Sequence, residues 1–290
     1  MAFNPNAVDQ IDQSTVENDG PQYPVIQWAY GDPKQKKAGG MDYQGGFFIS
    51  EANAPGDMTA YGWEKASWIR DDGGETEGFY RREAHFSILH TRKRWEVKDA
   101  TARRSNYAWT DYEKANAVGR ASGRTHFLVL VKGAEALGPF ILTVKGTAAM
   151  HIEGTRNVPG ALPQFVRTVI AAANKLTKKG RWPYRAFWFP LGADRDAKGD
   201  PRFTEVGKKP DTSNIVLPVA LDLPAKPEQV KLDDYYVGEE VLAQVNAIYA
   251  ETVAWATAWD TIEPGSVEGE DKDHEPAVEV ADDAVAAAGL

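Results

Sequence analysis

Two neighbouring segments constrain the fold more than any other part of the chain: residues 124–133, RTHFLVLVKG, and residues 138–146, GPFILTVKG. Both are rich in β-branched and aromatic side chains, and the four residues between them suit a turn, so they predict a long antiparallel hairpin. Strand-like pieces precede it at 23–30, 45–51, 60–70 and 79–97, interrupted by Gly and Asp clusters such as the DDGG at 71–74. After it, Pro163 stands in a first-turn position, and Phe165, Val166, Val169, Ile170, Ala173 and Leu176 recur at helical spacing. Lys178 and Lys179 close the last turn before Gly180, which completes the signature of a helix. Two further strands follow at 185–192 and 214–223, where Pro190 and Pro218 suit sheet edges or bulges. A final helix at 239–259 places Val241, Val245, Ile248, Thr252, Trp255 and Trp259 on one face.

Meander, hairpin, helix, strand and strand is the order of a mainly β fold with a few helices. It predicts an OB-fold-like five-stranded antiparallel barrel with insertions, its helix between strands 3 and 4. A β-sandwich with an inserted helix is the alternative. The expected organisation is a flexible N-terminal arm (1–22), one OB-like body (23–262, with the 239–259 helix) and a disordered acidic tail (263–290). The first residues lack the basic start and apolar core of a signal peptide. No run of about eighteen apolar residues predicts a membrane span. The absence of cysteine removes disulfide frameworks and thiolate zinc sites. These features fit a cytoplasmic protein.

Charge is segregated along the chain. The net charge is −9, and residues 263–290 hold nine acids against one lysine, or −8. Between Arg81 and Arg124 the balance reverses, with eleven Lys and Arg facing five acids. Among these cations stand Phe79, Tyr80, Phe86, Trp95, Tyr107, Trp109 and Tyr112. Guanidinium and ammonium groups neutralise phosphates and exposed rings stack on unpaired bases, which is the chemistry of single-strand recognition. The candidate binding residues are Arg81, Arg82, Arg92, Lys93, Arg94, Trp95, Arg103, Arg104, Tyr107, Trp109, Arg120 and Arg124. Arg181 and Trp182 join them from a second basic cluster at 167–185. Tyr107 and Trp109 are two residues apart, so an extended backbone would project both rings to one side. A loop carrying Lys34, Lys36 and Lys37 would add a further phosphate contact. Most of the nine Trp are expected in the core.

Catalytic signatures are missing. No HExxH, GxSxG, EF-hand loop or GxxxxGK[ST] occurs, and no catalytic residue, metal or cofactor is assigned. His85 and His90 are five apart on a predicted strand, an odd offset that would point them to opposite faces. His126 alternates with apolar neighbours and reads as a satisfied strand residue.

The basic, aromatic body and acidic C-terminal tail resemble the single-stranded-DNA-binding proteins of bacteriophages and mobile elements. Residues 46–68 (GFFISEANAPGDMTAYGWEKASW) and 124–149 are similar in style to those proteins. Unlike such tails, which close on an aromatic or Pro-Phe anchor, this one closes Ala-Ala-Ala-Gly-Leu290. The resemblance implies a non-enzymatic protein that coats and protects single-stranded DNA, or RNA as the alternative, during replication or recombination. It gives the binding role to Arg92, Arg94, Trp95, Arg103, Arg104, Tyr107 and Trp109, in a bacterial host cytoplasm if the gene is phage-borne. The tail would compete for the protein's own basic groove or recruit replication and recombination proteins. The 239–259 helix, which lies outside a minimal OB barrel, would pack on the body or mediate self-association into homo-oligomers through Trp255 and Trp259. The competing readings are a β-sandwich module for carbohydrate or protein, a phage structural or accessory protein, and a metal-dependent nuclease.

Overall fold

The computed structural model describes residues 23–37, 40–69, 74–98, 104–177, 180–208, 211–262 and 264–265. The expected N-terminal arm, Arg103, Lys178, Lys179 and the acidic tail beyond Gly265 lie outside them. In chain order the elements are β1 (Val25–Ala29), α1 (Gly40–Gln44), β2 (Gly46–Ser50), β3 (Glu64–Ile69), β4 (Glu75–Arg81), β5 (Glu83–Lys98) and β6 (Arg104–Ala108). Next come α2 (Tyr112–Val118), β7 (Arg120–Val131), β8 (Phe140–Lys145) and α3 (Gly146–Glu153). Helix α4 (Ala161–Phe165) continues through a π turn (Val166–Ile170) into α5 (Ala171–Leu176). The chain then forms β9 (Phe189–Ala193), β10 (Phe203–Lys208), β11 (Asp211–Val216), β12 (Pro218–Ala220), α6 (Glu239–Glu251) and α7 (Val253–Thr257), with a 3-10 turn at Ala258–Thr261.

The strands build one large sheet, ordered β12-β9-β5-β7-β8-β1-β2-β4-β3, with β6 added beside β5. Pairing is antiparallel except between β1 and β8. Strands β10 and β11 form a separate hairpin. The predicted hairpin is β7–β8, and the predicted helix is the α4–α5 unit. The five-stranded barrel is corrected: among the described residues the sheet has ten strands and is not a closed barrel. It nevertheless curls, because β4 and β5 are nearly continuous around Arg82, so one stretch of chain serves two distant parts of the sheet. Phe47 of β2 consequently lies edge-on to Phe86 of β5, with ring centroids 5.1 Å apart, although those strands are not paired.

Both faces of the central strands are buried, which is why β7 ends in an unbroken apolar run, Phe127–Val131. On the inner face, Phe86, Phe127, Val129 and Phe140 pack with Ile152 of α3 and with Phe165 and Val169 from the α4–α5 unit. On the outer face, Leu89, Leu128, Leu130 and Ile141 pack beneath Val241, Val245 and Ile248 of α6. The predicted C-terminal helix breaks at Thr252, whose hydroxyl donates to the Ile248 carbonyl at 2.7 Å while its backbone leaves the helical region. Pro190 sits in β9, between β12 and β5, and not at an edge; Pro218 does lie on the terminal strand β12. Strands β6 and β10 and helices α1, α2 and α3 were not expected from the sequence.

Candidate nucleic-acid interface

The basic and aromatic residues of β5 do not form one patch. A β-bulge at Ile88/His90 shifts the register against β7, and beyond it the strand pleat sends Lys93, Trp95 and Val97 to one face and Arg92, Arg94 and Glu96 to the other. The same bulge reverses the parity of the two histidines. His85 and His90 therefore share the outer face, contrary to their odd spacing, yet they remain apart. His90 stacks on Tyr249 at 4.3 Å, while His85 pairs with Pro190. No metal-binding group of His, Asp or Glu occurs among the described residues.

On the inner face, Trp95 is buried beside Tyr107, Ala115 and Ala121 under helix α2. Trp109 lies parallel to Trp95, ring centroids 4.2 Å apart and planes 6° from coincidence. Trp95 Nε1 donates to the Trp109 carbonyl at 2.8 Å, which fixes the turn that carries the second ring. Gly123 of β7 makes room for both: a Cβ there would stand 3.3 Å from Trp109 and 3.4 Å from Trp95. Lys93 Nζ lies 5.4 Å from the centre of the Trp109 ring and pairs with Glu153 at the end of α3. Of the nine Trp, six are buried, Trp182 and Trp255 are half-buried, and Trp109 is 40% exposed. One face of its ring is covered by Trp95, and the Lys93 ammonium lies over the ring.

The expected Tyr107–Trp109 pair of stacking rings is corrected. Strand β6 ends at Ala108, and a 3-10 turn at Trp109–Asp111 folds the Trp109 ring back over Trp95, while Tyr107 stays in the strand and is buried. Trp95 is likewise unavailable to a ligand and acts as the support for Trp109.

The outer face is a ladder of cations. Cross-strand register sets Arg92 opposite His126, Arg94 opposite Arg124, and Lys98 opposite both Arg120 and Arg104. Like charges placed opposite one another are destabilising, so such a ladder requires compensation. Glu96 supplies part of it, 2.6 Å from Arg124 and 3.4 Å from Arg104. The C-terminal segment supplies more: Arg92 lies 4.1 Å from the ring centres of both Trp255 and Trp259, and Arg94 lies 4.3 Å from that of Trp259. Arg94, under Trp259, and Arg124 are both buried, so neither reaches the surface as expected. His126 packs 4.4 Å from Trp259. Burial, then Arg92, Arg94 and Arg124, hold its pKa well below the usual imidazole value and keep the ring neutral. Its Nδ1 lies 3.4 Å from Arg92, but its Nε2 has no hydrogen-bond partner, so it is not the fully satisfied strand residue that its pattern suggested.

The remaining candidates are scattered. Half-buried Arg81 donates to the Tyr61 carbonyl at 3.2 Å. Arg82, Arg120 and Arg181 are exposed, and Arg104 is half-buried. Trp182 stands edge-on to Phe187 and Tyr236. In the second basic cluster Lys175 pairs with Glu228, and Arg185 donates to Asn246 at 2.8 Å while lying 3.9 Å from the Tyr249 ring. Sequence reasoning missed Glu96, Gly123, Glu153 and the use of Trp255 and Trp259 against the arginines. The four-residue spacing of those two Trp was the available signal, because it places both on one helical face.

Comparison with known protein families, with curated proteins and with solved structures finds no match to the chain. No helix among the described residues is long and apolar enough to cross a membrane.

Proposed function

We propose that the chain is a non-enzymatic protein that binds single-stranded DNA without reading its sequence, of the kind that coats strands in replication or recombination. The observation that carries this reading is Trp109: an exposed ring held rigidly against a buried one, with the Lys93 ammonium beside it. A base stacking on such a ring loses little entropy to ordering of the protein, and stacking tolerates any base because every base has a π face. Lys93, with the exposed Lys114 on α2, offers phosphate contacts that would make binding fall with salt.

The test is titration of intrinsic Trp fluorescence with oligo-dT and with duplex DNA, at low and high salt. Oligo-dT should quench the signal, duplex should compete poorly, and salt should reverse the effect. Trp109→Ala should weaken binding by about 1–3 kcal/mol. Unchanged affinity in that variant would refute the stacking role of Trp109. Salt-insensitive glycan binding without oligonucleotide quenching would replace the proposal with a carbohydrate-binding module.

A further inference from the structure

The outer face of β6–β5–β7 is poorly suited to permanent burial. Across one row, Asn106, Glu96 and Ser122 are in register; in the next rows stand Arg94 with Arg124, and Arg92 with His126. Among these, Asn106 Oδ1, Ser122 Oγ and His126 Nε2 are buried with no hydrogen-bond partner. A lasting interface would be apolar or fully hydrogen-bonded, since each unsatisfied buried group opposes closure. What closes this one is a short segment. After the break at Thr252, α7 and the following 3-10 turn reach the ladder through two rings, Trp255 and Trp259, alternating with Arg92 and Arg94. The Gly265 N–H then donates to the Asn106 carbonyl at 3.1 Å on β6. Val253, Ala254, Thr257 and Ala258, between these points, are exposed.

We propose that residues 253–262 are a displaceable strap, hinged at Thr252, over a second binding surface for the sugar–phosphate backbone of a single strand. Arg92, Arg94 and Arg124 make the phosphate contacts when the strap lifts. The occupant follows from charge and shape: a row of guanidiniums along a strand matches an extended polyanion, and guanidinium pairs with phosphate in forked geometry. The identity of that polyanion rests on the single-strand reading above, whereas the strap itself does not. In this arrangement Trp109 holds bases on the inner face, and the outer face becomes available only when the strap is exchanged for backbone.

Inorganic polyphosphate tests the strap independently, because it carries charge but no bases. The full-length variant Trp255→Ala/Trp259→Ala should bind polyphosphate more tightly than wild type at low salt, by on the order of tenfold. Adding Arg92→Gln and Arg94→Gln should abolish the gain. Trp255→Ala alone, at a half-buried position, should give a smaller gain with the fold retained by circular dichroism. For oligo-dT, the slope of log affinity against log salt should steepen by about 0.7 for each phosphate newly contacted. Equal polyphosphate affinity in wild type and both folded strap variants would overturn the proposal, as would a gain that survives Arg→Gln. A chain ending at Gly265 that shows the whole gain with the strap residues intact would overturn it too, assigning the cover to the acidic segment. If oligo-dT fails to quench while the polyphosphate gain appears, the base-stacking reading falls and the strap stands; the converse result sinks only the strap.

Discussion

The two faces of β5 and β7 are made from alternate residues of the same strands, and they have opposite fates. On the inner face two indoles stack in parallel and the outer one meets solvent. On the outer face two arginines and a histidine lie under two other indoles. The inner arrangement is aromatic on aromatic, its buried indole N–H held by the Trp109 carbonyl, and leaves the Trp109 ring at the surface. The outer arrangement places cations on aromatics, leaves buried polar atoms unpartnered, and closes over its charge. An aromatic pair buries apolar area and tolerates a dry environment, whereas a cation ladder in the same position must be continually compensated.

This contrast can be broken from either side. The largest effect is expected for Trp95→Ala, which removes the buried support of Trp109 and should cost about 3–5 kcal/mol of stability in urea unfolding. Oligonucleotide quenching should weaken with it. If Trp95→Ala leaves quenching intact, the two indoles are not acting as a unit. On the other face, Glu96→Gln removes the carboxylate charge 2.6 Å from buried Arg124 and should destabilise by about 3 kcal/mol, with no direct effect on the Trp109 surface.

Acid sharpens the difference further. His126 is neutral in the folded protein because burial and three arginines depress its pKa, so the unfolded chain binds its proton more readily. Stability should therefore be full above the ordinary imidazole value of 6.5 and decline as pH falls through it toward the depressed folded value. His85 and His151 are depressed mainly by burial and contribute with the same sign. Replacing His126 with Gln should flatten part of the decline; a curve identical to wild type would show that His126 does not titrate against folding. The smallest effect is expected for Lys114→Gln. Lys114 is exposed and pairs with Asp111 at 2.8 Å within one helical turn, a contact worth about 0.5 kcal/mol or less. A larger stability change there would mean that α2 contributes more to the inner surface than its packing implies.

Much of the framework was legible in the sequence. The β7–β8 hairpin followed from two apolar runs around a turn, and the α4–α5 unit from helical periodicity begun by a proline, because both signals are local. The closed barrel failed because curvature depends on which strands pair. Here β4 and β5 share one stretch of chain across a bend at Arg82, which no local pattern records. Among the candidate residues, the sequence set Trp95 and Tyr107 on an equal footing with Trp109, although both are buried and Trp109 is exposed. Their burial depends on α2 and on a 3-10 turn at the end of β6.

The amino-acid sequence by itself determined the inventory: a β-rich body, a cationic and aromatic stretch between Arg81 and Arg124, and the separation of that charge from an acidic C-terminal segment. These are properties of composition and short-range pattern. Only the tertiary structure decided which residues share a face. One bulge in β5 shifts the strand pleat by a residue, carrying Arg92 and Arg94 outward under Trp255 and Trp259 and turning Trp95 inward to support Trp109. Side chains alternate with a period of two, so a single extra residue exchanges the two faces beyond it.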